Sequence, residues 1–264
     1  MEHTPVQEFA ITRNPVHVIH VKREDLYADF PFPPNAKLRA VRAVLDAEKP
    51  ERVGVFGSRV SQLPWAVAQE CQQRAIACTA YLPSLKKKPD LLYFSQIASA
   101  GANVCYVKSG RTPIMYYQAR KHARENGSFM FPHGGLCEAG IAAYSAEALH
   151  TLSLGEYRSI VLCAGSCTVL VGILAALQKL SHWATRVYAI SAGASLETQR
   201  RTVNRFVHGR YTLTLVEPLM GYYKPCKVAC PFPSNPYYDL KAWMWLSLNI
   251  EKLESPVLFW NIGG

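Results

Sequence analysis

The chain has 264 residues, 49% of them hydrophobic, which is enough to bury a core as one globular unit or two intimate subdomains. No apolar run approaches the length that crosses a bilayer, and Met1-Glu2-His3 shows no signal-peptide pattern, so a cytoplasmic, membrane-free protein is expected. The 29 Lys and Arg against 19 Asp and Glu leave a net charge of +10, an excess that small-metabolite chemistry does not require and that draws phosphates and nucleic acids.

In chain order, residues 16–21 alternate and are β-branched, which predicts a short strand leading into Lys22-Arg23-Glu24-Asp25. A proline-rich turn (Pro31, Pro33, Pro34) precedes an amphipathic helix that begins near Lys37 and ends near Lys49-Pro50, with Leu38, Val41, Val44 and Leu45 on one face. Strands are expected at 53–56, 75–82 and 104–107, each followed by a helix, at about 61–74, 91–100 and 112–125. After Pro132-His133-Gly134-Gly135 comes a helix over about 138–152, then a buried strand at 159–163 and a long apolar helix to Leu180. A strand at 187–191 leads to a helix over 197–206. Residues 216–238, rich in proline, tyrosine and glycine, read as loop; a helix over 240–253 and a strand at 257–260 end the chain. This alternation predicts an α/β protein with open, mostly parallel twisted sheets and helices on both faces. Residues 1–39 with 132–264 are expected to form the larger subdomain, and 40–131 the smaller.

Most of the eight cysteines lie in apolar segments, where they pack as small hydrophobes in a reducing compartment. Three residues separate Cys226 from Cys230, but neither a second pair nor a histidine cluster completes a zinc site, so no metal is expected. The basic residues gather at Lys86-Lys87-Lys88, at Lys108, Arg111, Arg120, Lys121 and Arg124, and at Arg200, Arg201, Arg205 and Arg210. Such clusters fit either solvated helix faces or a polyanionic substrate.

Four places can carry chemistry. Lys37 stands at a helix entrance below a rigid turn, where an amine with a lowered pKa becomes a Schiff-base nucleophile. Gly165-Ser166-Cys167-Thr168 lies between a strand and a helix, so its N–H groups, hydroxyls and helix dipole make a phosphate cradle; it is neither a dinucleotide fingerprint nor a P-loop. Gly57-Ser58-Arg59-Val60-Ser61 sits at an equivalent strand end, either as an ordinary N-cap or as a loop that takes a substrate carboxylate. Asp239 precedes a helix that it could simply cap.

The run "VKREDL" followed by "NAKLRA" resembles the opening of the pyridoxal 5′-phosphate (PLP) enzymes of the tryptophan-synthase β family, fold-type II, above all aminocyclopropane-carboxylate deaminase and D-cysteine desulfhydrase. The resemblance implies PLP in the cleft of two subdomains, with Lys37 as the cofactor-binding and catalytic lysine. It likens Gly165, Ser166, Cys167 and Thr168 to the family's phosphate loop, with Cys167 and Val169 departing from its pattern. It also matches Ser58 to the deaminases' active serine within a substrate loop that includes Arg59 and Ser61. There Arg59 replaces an asparagine and Val60 a histidine, a departure that moves the substrate away from the deaminase's own. Residues 236–242 resemble "DPVYEGKA", which places Tyr238 by the cofactor ring as a catalytic residue and Asp239 on the pyridine nitrogen. Residues 257–264 resemble "VLFVHTGG" with Ile262 for the threonine.

Family and charge together predict an isomerase or lyase doing Cα carbanion chemistry on an amino-acid group, with glycine-modified thymine in phage DNA as the first substrate class and host cytoplasm as the location. The base would be flipped to reach the cofactor. The alternative is a deaminase or desulfhydrase of a small free amino acid; a homodimer is left open.

Overall fold

The computed structural model describes residues 3–84 and 92–264, so the Lys86-Lys87-Lys88 run lies outside the described residues. The chain divides into two compact units: Met1–Ala28, Pro34–Ala36 and Ile141–Gly264 form the larger, Asp29–Pro33 and Lys37–Gly140 the smaller. The helix that opens at Lys37 and the segment 132–140 go with the smaller unit here, whereas the sequence reading divides the chain at 39 and 132.

The larger unit begins with strands β1 (Val6–Ile11) and β2 (His17–Arg23). The smaller follows as α1 (Lys37–Glu48), β3 (Arg52–Phe56), α2 (Leu63–Gln73), β4 (Ala77–Ser84), α3 (Phe94–Ser99), β5 (Asn103–Lys108), α4 (Thr112–Glu125) and β6 (Phe129–Met130). Helix α5 (Glu138–Ser153) leads back to β7 (Ser159–Ala164), α6 (Thr168–Lys179), β8 (Arg186–Ser191) and α7 (Leu196–Phe206). The chain closes with β9 (Thr212–Val216), α8 (Asp239–Asn249) and β10 (Val257–Asn261).

The larger sheet has the order β1-β2-β10-β7-β8-β9 and is parallel except for the β1–β2 pair. Every residue of the central strand β7 is buried, as expected of a parallel strand covered on both faces. The edge strands β1 and β9, which have no such run, escaped the sequence reading: β1 exposes Gln7, Glu8 and Ala10, and β9 is only half-buried. The smaller sheet, β5-β4-β3-β6, is parallel throughout. Met115, Ala119 and Ala123 of α4 close its core against Phe56, Tyr81 and Val107.

The Lys22–Asp25 run is architectural. Lys22 is fully buried, paired with Glu147 and donating to the Thr4 carbonyl, while Thr4 Oγ1 donates to Glu24 at 2.6 Å. Arg23 grips Asp25 through two nitrogens, at 2.7 and 2.9 Å, and Asp25 accepts from Asn261 Nδ2 at 2.9 Å, which ties β2 to the end of β10. Removing one member of such a buried pair costs about 3–5 kcal/mol.

Candidate functional site

In the larger unit, β7 ends at Ala164 and α6 starts at Thr168, so three residues make the turn. Cys167 closes it in the left-handed region, φ 69°, and its carbonyl accepts from Val171 N at 2.8 Å. The first N–H groups of α6 then lack helical acceptors and point out of the turn. Beside them the hydroxyls of Ser166 and Thr168 lie 3.0 Å apart. Gln199 of α7 fixes the strand end by donating to the Ala164 carbonyl at 2.8 Å. Burial pushes the Cys167 thiol up to about 12, so it stays neutral and does not repel an anion. A Cβ added at Gly165 would meet only the Tyr238 ring, at 3.7 Å, so the ring lies along the open side of the turn.

Tyr238 immediately precedes α8, whose first residue, Asp239, is buried. Asp239 Oδ1 accepts from Ile262 N at 3.2 Å, and the carbonyl of the same residue accepts from Ala36 N at 2.8 Å. Residue 262 thus joins the carboxylate to the residue before Lys37. Asn35 pairs with Gly263 in a short bridge, and Tyr144 donates to the Ala36 carbonyl at 2.8 Å. Gly263 is obligatory here: its φ is +106°, and a Cβ would stand 2.3 Å from the Pro34 carbonyl. Lys37 is therefore launched from a fixed backbone and is half-buried at the start of α1.

Tyr222 is a residue the sequence reading missed. Its hydroxyl hydrogen-bonds that of Tyr238, and a Cβ on Gly193 would stand 2.6 Å from the Tyr222 Cβ and 3.0 Å from its ring. Lys241, fully buried, holds the loop by donating to the carbonyls of Gly221 and Tyr222 at 3.0 and 3.1 Å. Burial lowers the Lys241 pKa, against the pull of the Cys163 and Cys226 thiols. Only a long-range pairing marks Tyr222, which no local spacing in a 22-residue stretch between β9 and α8 announces.

In the smaller unit, β3 ends at Phe56 and a loop of six residues runs to α2. Gly57 allows the chain to pass Pro64, whose Cγ would lie 2.2 Å from a Cβ. Ser61 N donates to the Ser58 carbonyl at 3.1 Å, and Ser61 Oγ, one residue ahead of the N-cap position at Gln62, accepts from Leu63 N, the first N–H of α2, at 3.3 Å. Ser58 and Arg59 are half-buried and Val60 is buried.

No protein-family model matches the chain. It is 31% identical to the glycyl-dTMP PLP-dependent decarboxylase of Pseudomonas phage M6, over 100% of this chain and 99% of that one. The chain belongs to this family of PLP-dependent enzymes. Among solved structures, an ACC deaminase homologue superposes with a TM-score of 0.83 at 19% identity, covering 100% of this chain and 90% of the other. Maize serine racemase (TM-score 0.69, 13% identity) and Escherichia coli diaminopropionate ammonia lyase (TM-score 0.67, 14% identity) match over 100% of this chain and 89% and 83% of theirs. Their fold is fold-type II, and so is this one.

The donor set fits PLP. Two hydroxyls and a helix N-terminus suit its phosphate, the Tyr238 ring lies beside them, and the buried Asp239 carboxylate suits a protonated ring nitrogen. Those parts all lie in the larger unit.

Proposed function

We propose that this PLP-dependent enzyme is a lyase that decarboxylates a glycyl group carried by thymine in DNA. The observation that carries this reading is the full-length identity of 31% to the phage glycyl-dTMP decarboxylase. PLP supplies an electron sink for negative charge on a carbon next to an amine. The bond from Cα to the carboxylate breaks, carbon dioxide leaves, and one proton is added at Cα.

The residues divide the work. Lys37 holds the cofactor and, as an amine on a fixed backbone, returns the proton to Cα. Gly165, Ser166, Cys167 and Thr168 hold the phosphate, and Asp239 keeps the ring nitrogen protonated. Tyr238, its hydroxyl tied to Tyr222, lines the ring. Ser58 and Ser61 orient the glycyl carboxylate. Arg59 is assigned to a nucleotide phosphate instead: a cation on the leaving carboxylate would stabilise the ground state more than the transition state and slow the reaction. The accompanying setting is the host cytoplasm of an infected cell; no helix among the described residues is long and apolar enough to cross a membrane.

The test is mass spectrometry of glycyl-thymine, as nucleotide and in DNA, after incubation with the PLP-loaded protein. Loss of one carbon dioxide with every nitrogen retained is expected. Untouched glycyl-thymine, with ammonia released from small free amino acids, would replace this reading with the deaminase.

A further inference from the structure

We infer that Tyr223 is the platform on which the pyrimidine base of the substrate stacks, an aromatic position beyond the cofactor turn that selects a nucleotide over a free amino acid. The inference rests on the proposal that the substrate is a glycyl-thymine, and it names the residue that takes the base. Every residue it uses lies in the larger unit.

A ladder of tyrosine rings leads out from the cofactor turn. Its first rung is Tyr238, whose ring lies 3.7 Å from the place that a Cβ on Gly165 would take. The Tyr222 ring follows, edge-on at 5.8 Å between centroids and 79° between planes, with the two hydroxyls hydrogen-bonded. Tyr223 is the last rung, 4.8 Å and 60° from Tyr222. Both spacings are those of edge-to-face aromatic pairs, so each ring helps to orient the next. Exposure rises along the ladder, from half-buried Tyr238 and Tyr222 to Tyr223 at 45%. The ladder ends in a ring that is held by Tyr222 and still open to a ligand.

The backbone under Tyr223 is fixed from several directions. Lys224 N donates to the Gly221 carbonyl at 3.0 Å, which closes a turn with Tyr222 and Tyr223 at its central positions. The buried Lys241 of α8 donates to the carbonyls of Gly221 and Tyr222, and its Nζ stands 6.0 Å from the centre of the Tyr222 ring. Further on, the buried Cys226 donates its N–H to the Pro236 carbonyl at 2.7 Å. Gly193, φ +144°, leaves the space into which Tyr222 fits. A surface ring with no ligand would need no buried lysine and no such glycine beneath its turn. A tyrosine on a fixed backbone has two side-chain torsions left to order, so it offers a flat face at little entropic cost.

An equally exposed aromatic of the same unit has a different setting. Trp183 is also 45% exposed, but Arg210 stands over its ring at 5.9 Å, and its carbonyl accepts from Thr212 at the start of β9. Trp183 precedes β8, whereas Gly193, against Tyr222, follows it, so Trp183 and the ladder sit at opposite ends of a strand about 20 Å long. Ligands of open parallel sheets bind outside the carboxyl ends of the strands, which is the ladder's end. A pyrimidine presents a π-face to an open ring there, and a small aliphatic amino acid presents none.

The test measures the affinity of the PLP-loaded protein for thymidine monophosphate and for deoxyribose phosphate, which lacks the base. Tyr223→Ala should weaken the nucleotide about tenfold and leave the sugar phosphate unchanged. Tyr223→Leu should behave as Tyr223→Ala does, since it keeps apolar bulk without a π-face. Tyr223→Phe and Tyr223→Trp should hold the nucleotide within about twofold of the wild type. Trp183→Ala is the control and should change neither affinity. Cofactor absorbance and the thermal midpoint report folding, and the contrast between Tyr223→Phe and Tyr223→Leu carries the test if the alanine variant misfolds. Full nucleotide affinity in Tyr223→Leu, an equal loss in Tyr223→Phe, an equal loss for the sugar phosphate, or a wild type that does not bind the nucleotide overturns the assignment. Because neither probe carries a glycyl group, the result stands apart from decarboxylation. Binding that follows the ring without decarboxylation sinks only the chemistry, and decarboxylation with an indifferent Tyr223 sinks only the platform.

Discussion

Two strand-to-helix turns, one in each unit, invite comparison. The turn after β7 takes three residues, forces Cys167 into a left-handed conformation and is braced from behind by Gln199. The turn after β3 takes six residues, engages the Ser61 hydroxyl with the first N–H of its own helix and leaves Ser58 and Arg59 half-exposed. A short braced turn presents donors in one geometry, which suits an anion that never changes. A longer turn lets side chains differ at little cost to the fold. On the proposed assignment, the departures from the deaminase pattern at Arg59 and Val60 fall in the substrate turn and leave the cofactor turn as it is.

The largest effect expected belongs to neither turn. Lys37→Ala should cut turnover by about three powers of ten or more, and borohydride reduction of the wild type should leave the pyridoxyl label on Lys37. A label on Lys22 or Lys241 would break the assignment; both are buried among acceptors of their own. Next comes Asp239→Asn, which keeps an acceptor for Ile262 N but loses the charge. Turnover should fall by about two powers of ten, roughly 3 kcal/mol, with the thermal midpoint held. Normal turnover would reduce Asp239 to a structural acceptor.

The comparison itself is sharpened by paired variants. Ser166→Ala with Thr168→Val should weaken PLP binding by about thirty-fold, roughly 2 kcal/mol, read by titration of the cofactor absorbance. Ser58→Ala should leave that affinity alone and lower kcat/KM by about tenfold. If both changes moved PLP affinity equally, the division of labour between the turns would fail.

The smallest effect is a pH effect. The folded state holds the Cys167 proton more tightly, with the thiol raised from 9.0 to about 12. Its contribution to stability is full below pH 9 and is lost as pH rises from 9 towards 12. Cys167→Ala should flatten the alkaline fall in unfolding free energy over that window.

The sequence by itself determined the helices and the buried parallel strands, because a 3.6-residue apolar period and a run such as Ser159–Ala164 are local properties of the chain. It also put Lys37, Thr168 and Asp239 at or beside helix starts and Ser58 in the turn after β3, which is where the structure has them. Only the tertiary structure decided which backbone launches Lys37. Residue 262, which joins Asp239 to Ala36, and the approach of Gly263 to Pro34 each bring together residues more than 200 positions apart. The edge strands β1 and β9 and the Tyr222–Tyr238 pair were equally hidden, for the same reason. A half-buried edge has no run to read, and a hydrogen bond across a loop depends on where the fold returns the chain, which no periodicity encodes.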